Sequence, residues 1–389
     1  MKIGLVIQNA EPARGGAERY TLALAADLVA RGHEVHLLAQ RFARNVEPAR
    51  QVRLNGAAGT RTRRYDLLLR SLARHLMHTQ YDVVHAMLPV WRCDIYHPHA
   101  GIEAENIATG HLKHHAPLRR LLSRVGNAIN RRRQQFAAVE EALICGRQPP
   151  LVLCLSDYVR RTAMKHYARR SEHLAVLHNG VDLLKFDPAQ RPQRRQQLRH
   201  ELRLHADCAA ALIVANDFER KGLGTAIRAL SMLSPEQQKR THLVVVGRQA
   251  PDRYRSLASR CGVASSVTFA GPTDDPAAFY QACDFFILPT HHDPCSLVAV
   301  EAVAMGLPVL TTRANGAGEL LKPGVHGHVF SDADDPAPFS SAWAALLDAG
   351  TLAEARAACI ELRPALSQVA HVDHLLKHYE RIARRKNGE

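Results

Sequence analysis

Asp293 and Glu301 have seven residues between them in the stretch DFFILPTHHDPCSLVAVEAVAMGLPVLTTRANGAGE, residues 284–319. Two carboxylates at that spacing, one in a loop and one on the helix after it, would flank whatever docks at the helix start. Arg220 and Lys221 are adjacent and precede Gly222. Such a pair suits a diphosphate, because arginine can grip it bidentately while lysine acts as a compact charge. His97 and His99 sit together in IYHPHAGI (95–102), although a lone histidine is more often structural than catalytic. Gly15 and Gly16 let the backbone approach a ligand closely where a helix begins.

The elements that must position these groups can be read from the apolar runs. Phe285 to Pro289 reads as a strand, a helix starts near Ser296 and stops at Gly306, and Pro308 to Thr312 reads as the next strand. The loop then lies at the carboxyl end of its strand, where open parallel sheets bind ligands and a helix amino terminus attracts an anion. Carboxylates beside an anion site favour hydroxyls, so the ligand should carry both hydroxyls and phosphates, as a nucleotide sugar does. KIGLVIQ (2–8) opens a first strand-helix series, in which Gly32 ends the first helix and 34–39 forms the next strand. Residues 40–73 read as loop plus helix, and 81–86, 151–156 and 174–179 as further strands. The charged, glutamine-rich run 191–203 reads as a surface helix. Ala209 to Ala215 repeats the opening pattern, and Arg220-Lys221-Gly222 follows it just ahead of a helix from Thr225. Strands at 243–247 and 267–272 and helices at 254–261, 277–283, 337–347 and 371–386 complete the reading.

Asp293 with Glu301, followed by Gly306-Leu307-Pro308-Val309, resembles the Glu-x7-Glu signature of the retaining family-4 glycosyltransferases. Gly15-Gly16, Arg220-Lys221 and the Asn179-Gly180-Val181-Asp182 junction fall in that family's order, so the resemblance covers essentially the whole chain. It implies an α/β protein of GT-B fold, two Rossmann-like domains facing a central cleft. Residues 1–180 would form the acceptor domain and 181–365 the nucleotide-sugar domain, with a helix at 366–389 crossing back. Within the family the chain is most similar to the lipopolysaccharide core glucosyltransferase I group, through Asp217-Phe218 before Arg220-Lys221-Gly222, the run 306–312 and a basic helical stretch.

The resemblance also implies roles. The donor sugar would lie between His99, with His97 as the alternative, and Asp293, with its diphosphate on Arg220 and Lys221. Glu301 would hold the ribose hydroxyls, and the turn at Gly271 to Thr273 would lie beside the base. Ser296 and Leu297 would complete the donor site at the helix start, and the Gly15-Gly16 loop would face acceptor and donor phosphates. Cations and helix N–H groups would stabilise the leaving diphosphate without a metal. Asp274-Asp275 and Asp334-Asp335 read as loop or helix-cap acids. The family usually has Glu where this chain has Asp293, so its carboxylate is one methylene shorter and sugar recognition is open to change. No cofactor is implied beyond the nucleotide-sugar substrate, with UDP-glucose as its simplest form.

The composition suits this reading. The 389 residues, 46% hydrophobic, are enough for two cores. No apolar run reaches the roughly 18 residues of a membrane span, and no signal peptide is apparent. The eight scattered cysteines form no C-x-x-C pair and read as reduced thiols of a cytoplasmic protein. The net charge of +14 calls for an acidic partner: nucleic acid, anionic lipid or a phosphorylated substrate. Aromatic content of only 5% and the lack of a recognised motif weigh against nucleic acid. The basic stretch 111–135, with Arg131, Arg132 and Arg133, has two readings, a helix on an anionic membrane surface or a solvated helix face packed on its domain.

The expected activity is therefore transfer of a hexose from a nucleotide sugar to a lipopolysaccharide-core or related glycolipid, peripherally on the cytoplasmic face of the inner membrane. The competing readings are a sugar-nucleotide epimerase of the same architecture and a non-catalytic nucleotide-sugar-binding protein.

Overall fold

The computed structural model describes residues 1–44, 48–109, 130–167, 172–190 and 192–388. Most of the basic stretch 111–135, up to residue 129, lies outside the described residues. Its described end begins at Asn130, whose side chain caps the helix Arg131–Ile144 by accepting from the Arg133 N–H. Contacts divide the chain into two compact units, Met1–His178 with His371–Glu389 and Asn179–Ala370.

The first unit is built on a parallel sheet whose strands lie in the order Arg50–Arg53, Glu34–Ala39, Lys2–Val6, Val83–Ala86, Ile95–Tyr96, Leu151–Cys154 and Leu174–Val176. Strands covered on both faces read as unbroken apolar runs, which is why LVLC and the strand opened by Lys2 carry almost no alternation. One face packs under the helices Arg61–His78 and Arg131–Ile144, through Tyr65, Leu68, Leu72, Phe136, Val139 and Leu143. The other packs under Gly16–Ala30 and the last helix, Gln368–Asn387, through Tyr20, Leu24, Leu28, Val372, Leu375 and Tyr379.

The second unit has a parallel sheet in the order Val267–Gly271, Thr241–Val246, Ala209–Val214, Phe285–Leu288, Val309–Thr312 and Gly327–Phe330. Counted along the chain this is third, second, first, fourth, fifth, sixth, the order of a dinucleotide-binding sheet. The order reverses between Ala209–Val214 and Phe285–Leu288. A crevice opens outside the carboxyl ends of the two strands at such a reversal, because their connections leave toward opposite sides.

Three elements differ from the sequence reading. Arg50–Arg53 forms an edge strand where loop and helix were expected; its polar, largely exposed RQVR carries no buried-strand pattern. Ala349–Leu362 adds a helix not anticipated. The helix Pro192–Glu201 is not simply a surface helix. Arg199 is only 8% exposed and binds Asp284 at 3.1 Å and the Ala282 and Cys208 carbonyls, while Arg195 holds the other Asp284 oxygen at 2.8 Å. Asp275 and Asp335 do cap helices, Pro276–Ala282 and Pro336–Ala345. Six of the eight cysteines are buried and all are free thiols. Among the described residues no helix is long and apolar enough to cross a membrane.

Candidate active site

In the second unit the two loops at the strand reversal carry the candidate residues. The first leaves Val214 and runs through Arg220 and Lys221 to Gly222, the cap of helix Leu223–Ser231. Gly222 adopts φ 73°, and a Cβ there would come within 1.9 Å of the Pro289 carbonyl oxygen. Only glycine allows this approach, and it brings the loops into contact. The Arg220 carbonyl accepts from the His291 N–H at 2.9 Å and the Thr290 hydroxyl at 3.1 Å. In return the Arg220 guanidinium donates to the His292 carbonyl at 2.8 Å.

The loops close on an ion pair. The Lys221 ammonium donates to the Asp293 carboxylate, and each residue is 8% exposed. Burial raises the Asp293 pKa, but Lys221 and Arg220 outweigh it and hold the carboxyl below its ordinary value. Burial lowers the Lys221 pKa, with Asp293 as the main counterweight. Asp293 is also fixed through its backbone, its N–H donating to the Ala314 carbonyl at 2.8 Å and its carbonyl accepting from the Gly316 N–H at 3.0 Å.

Ser296 precedes the helix Leu297–Ala304 in extended conformation, is buried, and makes no side-chain cap bond; its hydroxyl has no partner among the described residues. Glu301 is buried on the same helix, and the Tyr280 hydroxyl donates to it at 2.8 Å. Gly271 ends its strand with φ 77°, and the Thr273 hydroxyl accepts from the Asp275 N–H at 3.0 Å in the turn that follows.

In the first unit Gly15 caps helix Gly16–Ala30 in extended conformation and offers no side-chain cap. His99 lies in a nest of rings, 4.4 Å from Tyr20 and 4.3 Å from His97 between centroids. His97 is completely buried, and neither of its ring nitrogens has a partner among the described residues. Behind them the Tyr20 hydroxyl meets His371 Nε2 at 2.8 Å, and His371 Nδ1 donates to the His178 carbonyl at 2.7 Å. Burial pushes His99 down to about 3 and His371 to about 4, so both rings are neutral at pH 7.

Sequence reasoning missed the supports. Asn315, 1% exposed, accepts from the Ser296 N–H at 3.2 Å and the Ala317 N–H at 3.1 Å while donating to the Thr311 hydroxyl at 3.0 Å. Its only sequence signal is the Asn-Gly turn within 284–319. Tyr280 and His371 had no local signal, since their partners lie 21 and 351 positions away.

Comparison with known proteins decides the class. Residues 14–185 match the description Glycosyltransferase Family 4 and residues 209–349 match Glycosyl transferases group 1. The lipopolysaccharide glucosyltransferase WaaG of Escherichia coli (strain K12) is 27% identical over 84% of this chain and 83% of its own length. The chain is a family-4 glycosyltransferase. Its two Rossmann-like halves are those of the GT-B fold, as in the crystal structure of WaaG, with TM-score 0.81 at 23% identity over 96% of this chain and 98% of that one. The Anabaena protein HepE in complex with UDP-glucose is similar in fold, with TM-score 0.70 at 18% identity over the full length of both chains. This glycosyltransferase thus carries its basic pair and its loop acid at the strand reversal of the second half, in contact with each other.

Proposed function

We propose that this glycosyltransferase moves a hexose, with retention, from a UDP-sugar to a lipopolysaccharide-core or related glycolipid. The observation that carries the reading is the joining of Arg220, Lys221 and Asp293 by two loops at the strand reversal. A donor diphosphate there takes Arg220 and Lys221, and the growing negative charge on the leaving group is met by cations already in place. Lys221 then exchanges one anion for another, and Asp293 turns to the sugar hydroxyls. Glu301, steadied by Tyr280, takes the ribose hydroxyls. Ser296, Leu297 and the turn at Gly271 and Thr273 complete the donor contacts, and Gly15 and Gly16 face phosphates. His99 keeps the catalytic role that the family resemblance gives it. No metal or other cofactor enters this scheme.

The donor class is supported by the UDP-glucose named for HepE, and the acceptor class by the name of WaaG. The net charge of +14 and the composition of 111–135 support action at the anionic cytoplasmic face of the inner membrane.

The test is a thermal-shift panel of UDP-, GDP- and ADP-sugars on the wild type and Glu301→Ala. A donor at about 100 times its dissociation constant stabilises by roughly 2.7 kcal/mol. A shift from a UDP-sugar that disappears in the variant supports the reading. The absence of any donor shift in the wild type would overturn it, and conversion of the donor to an isomer without acceptor would make the protein an epimerase.

A further inference from the structure

A cavity of about 920 Å³ lies in the first unit, outside the carboxyl ends of its first strands. Arg14, Arg41, Arg53, Arg61, Arg64 and Arg132 line it, and among the described residues no aspartate or glutamate does. Lining residues come from four separated parts of the chain, so the concentration of one charge is a property of the fold.

Two helices bring their amino termini to this cavity. Arg61–His78 begins with Arg61, Arg63 and Arg64, and Arg131–Ile144 with three consecutive arginines; neither has an acid in its first turn. Helix amino termini carry partial positive charge and favour acids there, so both first turns are arranged against the dipole. The Tyr65 and Phe136 rings, stacked with centroids 3.9 Å apart, hold these turns side by side. Arg132 lies over the Phe136 ring at 5.1 Å and donates to Gln8 at 3.2 Å. Burial, Arg61 and Arg64 lower the Arg132 pKa and outweigh Glu103, which raises it. The Nε atoms of Arg64 and Arg132 are buried with no hydrogen-bond partner among the described residues. Crowded arginines, inward donors and two helix amino termini are stabilised together by a multiply charged oxyanion.

We propose that this cavity binds phosphate groups carried by the sugar acceptor, so that the enzyme selects a phosphorylated glycan. The inference rests on the transferase reading for the word acceptor, but not for the binding of phosphate. A concave site of this volume suits one or two phosphorylated sugar rings better than a bilayer surface. Anions in the cavity remove the mutual repulsion of the arginines, and an uncharged glycan does not.

The test measures calorimetric binding of fructose 1,6-bisphosphate, as a sugar bisphosphate probe, to the wild type and to Arg61→Gln/Arg64→Gln. A second double variant, Arg384→Gln/Arg385→Gln, removes the same charge from exposed positions on the last helix. The expected result is binding by the wild type and the control, with at least tenfold weaker binding by the cavity variant, while fructose binds none of them. In turnover, inner-core glycolipid should show an acceptor KM at least tenfold higher for the cavity variant at similar kcat, and for wild type with glycolipid stripped of phosphate by hydrofluoric acid. Equal binding by both double variants, or indifference of wild-type KM to phosphate removal, would overturn the proposal. So would loss of binding to phosphatidylglycerol vesicles in the cavity variant while the bisphosphate still binds, which would make the site a lipid-headgroup site. If no nucleotide sugar shifts the wild type but the bisphosphate binds as described, the transferase reading fails and the phosphate site stands.

Discussion

The Lys221 ammonium and the Asp293 carboxylate, 72 positions apart, form a buried ion pair that ties together the two loops at the strand reversal. In the proposed reaction these groups serve different parts of the donor, so they hold one another until the donor separates their roles. The pair thereby keeps two charges ready in a site from which water is largely excluded.

Removing one partner leaves the other charged and buried, which costs about 3–5 kcal/mol. Lys221→Met should therefore lower stability by that order, and Lys221→Met/Asp293→Asn should recover much of it. Urea unfolding of the two single variants and the double variant measures the coupling. Additive losses would mean that the pair contributes little beyond its separate side chains.

Asp293→Glu restores the side chain usual in the family. The longer carboxylate should retain its contact with Lys221 and keep activity within about tenfold, whereas Asp293→Ala should lose about 10²–10³ in kcat. Competition between UDP-glucose and UDP-galactose, with both products quantified, should give a different ratio for Asp293→Glu than for the wild type.

Tyr280 acts through Glu301. Its hydroxyl donates to the Glu301 carboxylate and to the Val298 carbonyl at 3.1 Å. Loss of such a bond costs about 1 kcal/mol, so Tyr280→Phe should raise the donor KM about fivefold with kcat nearly unchanged. A fall in kcat at constant KM would remove Tyr280 from donor binding.

Stability should depend on pH with two opposite signs. His99 and His371 have folded pKa values of about 3 and 4, against about 6.5 when unfolded. Below pH 6.5 the unfolded chain binds protons that the folded chain refuses, so each group removes about 1.4 kcal/mol per pH unit as the pH falls toward its folded value. Glu140 works the other way. Its carboxyl is raised to about 8, burial being the main cause, so the stability of its protonated form is lost as pH rises from about 4.3 to 8. Tyr96 and Tyr167 both bond this carboxyl, at 2.6 and 3.1 Å. Glu140→Gln should then be near neutral at about pH 4 and stabilising at about pH 8, as urea midpoints at the two values will show.

The parallel sheets were legible because strands buried on both faces must be apolar throughout, and AAALIV or FFIL leaves little else to infer. The edge strand RQVR, half turned to water, left no such mark. Arg199 was misread for a related reason: a buried arginine looks exposed until the carboxylate it meets, Asp284, is known. In the candidate site, residue types and order were readable from the family pattern. Contact between Lys221 and Asp293, and the support of Glu301 by Tyr280, depend on chain separations that no local pattern encodes. The arginine cavity was the least visible, since its six cations are scattered between residues 14 and 132.

The last helix bears on how the protein is made. Val372, Leu375 and Tyr379 complete the core of the first unit, and the Tyr379 hydroxyl meets His85 Nδ1 at 2.6 Å. That core was begun by the amino-terminal strands and interrupted at His178. A ribosome adding roughly 5–20 residues per second reaches Tyr379 about 10–40 s after passing His178. During that interval the first unit exposes an unfinished apolar face while the second unit, Asn179–Ala370, is being made. The amino-terminal half is therefore the part born early and completed late, and its nascent form is where a chaperone would be needed.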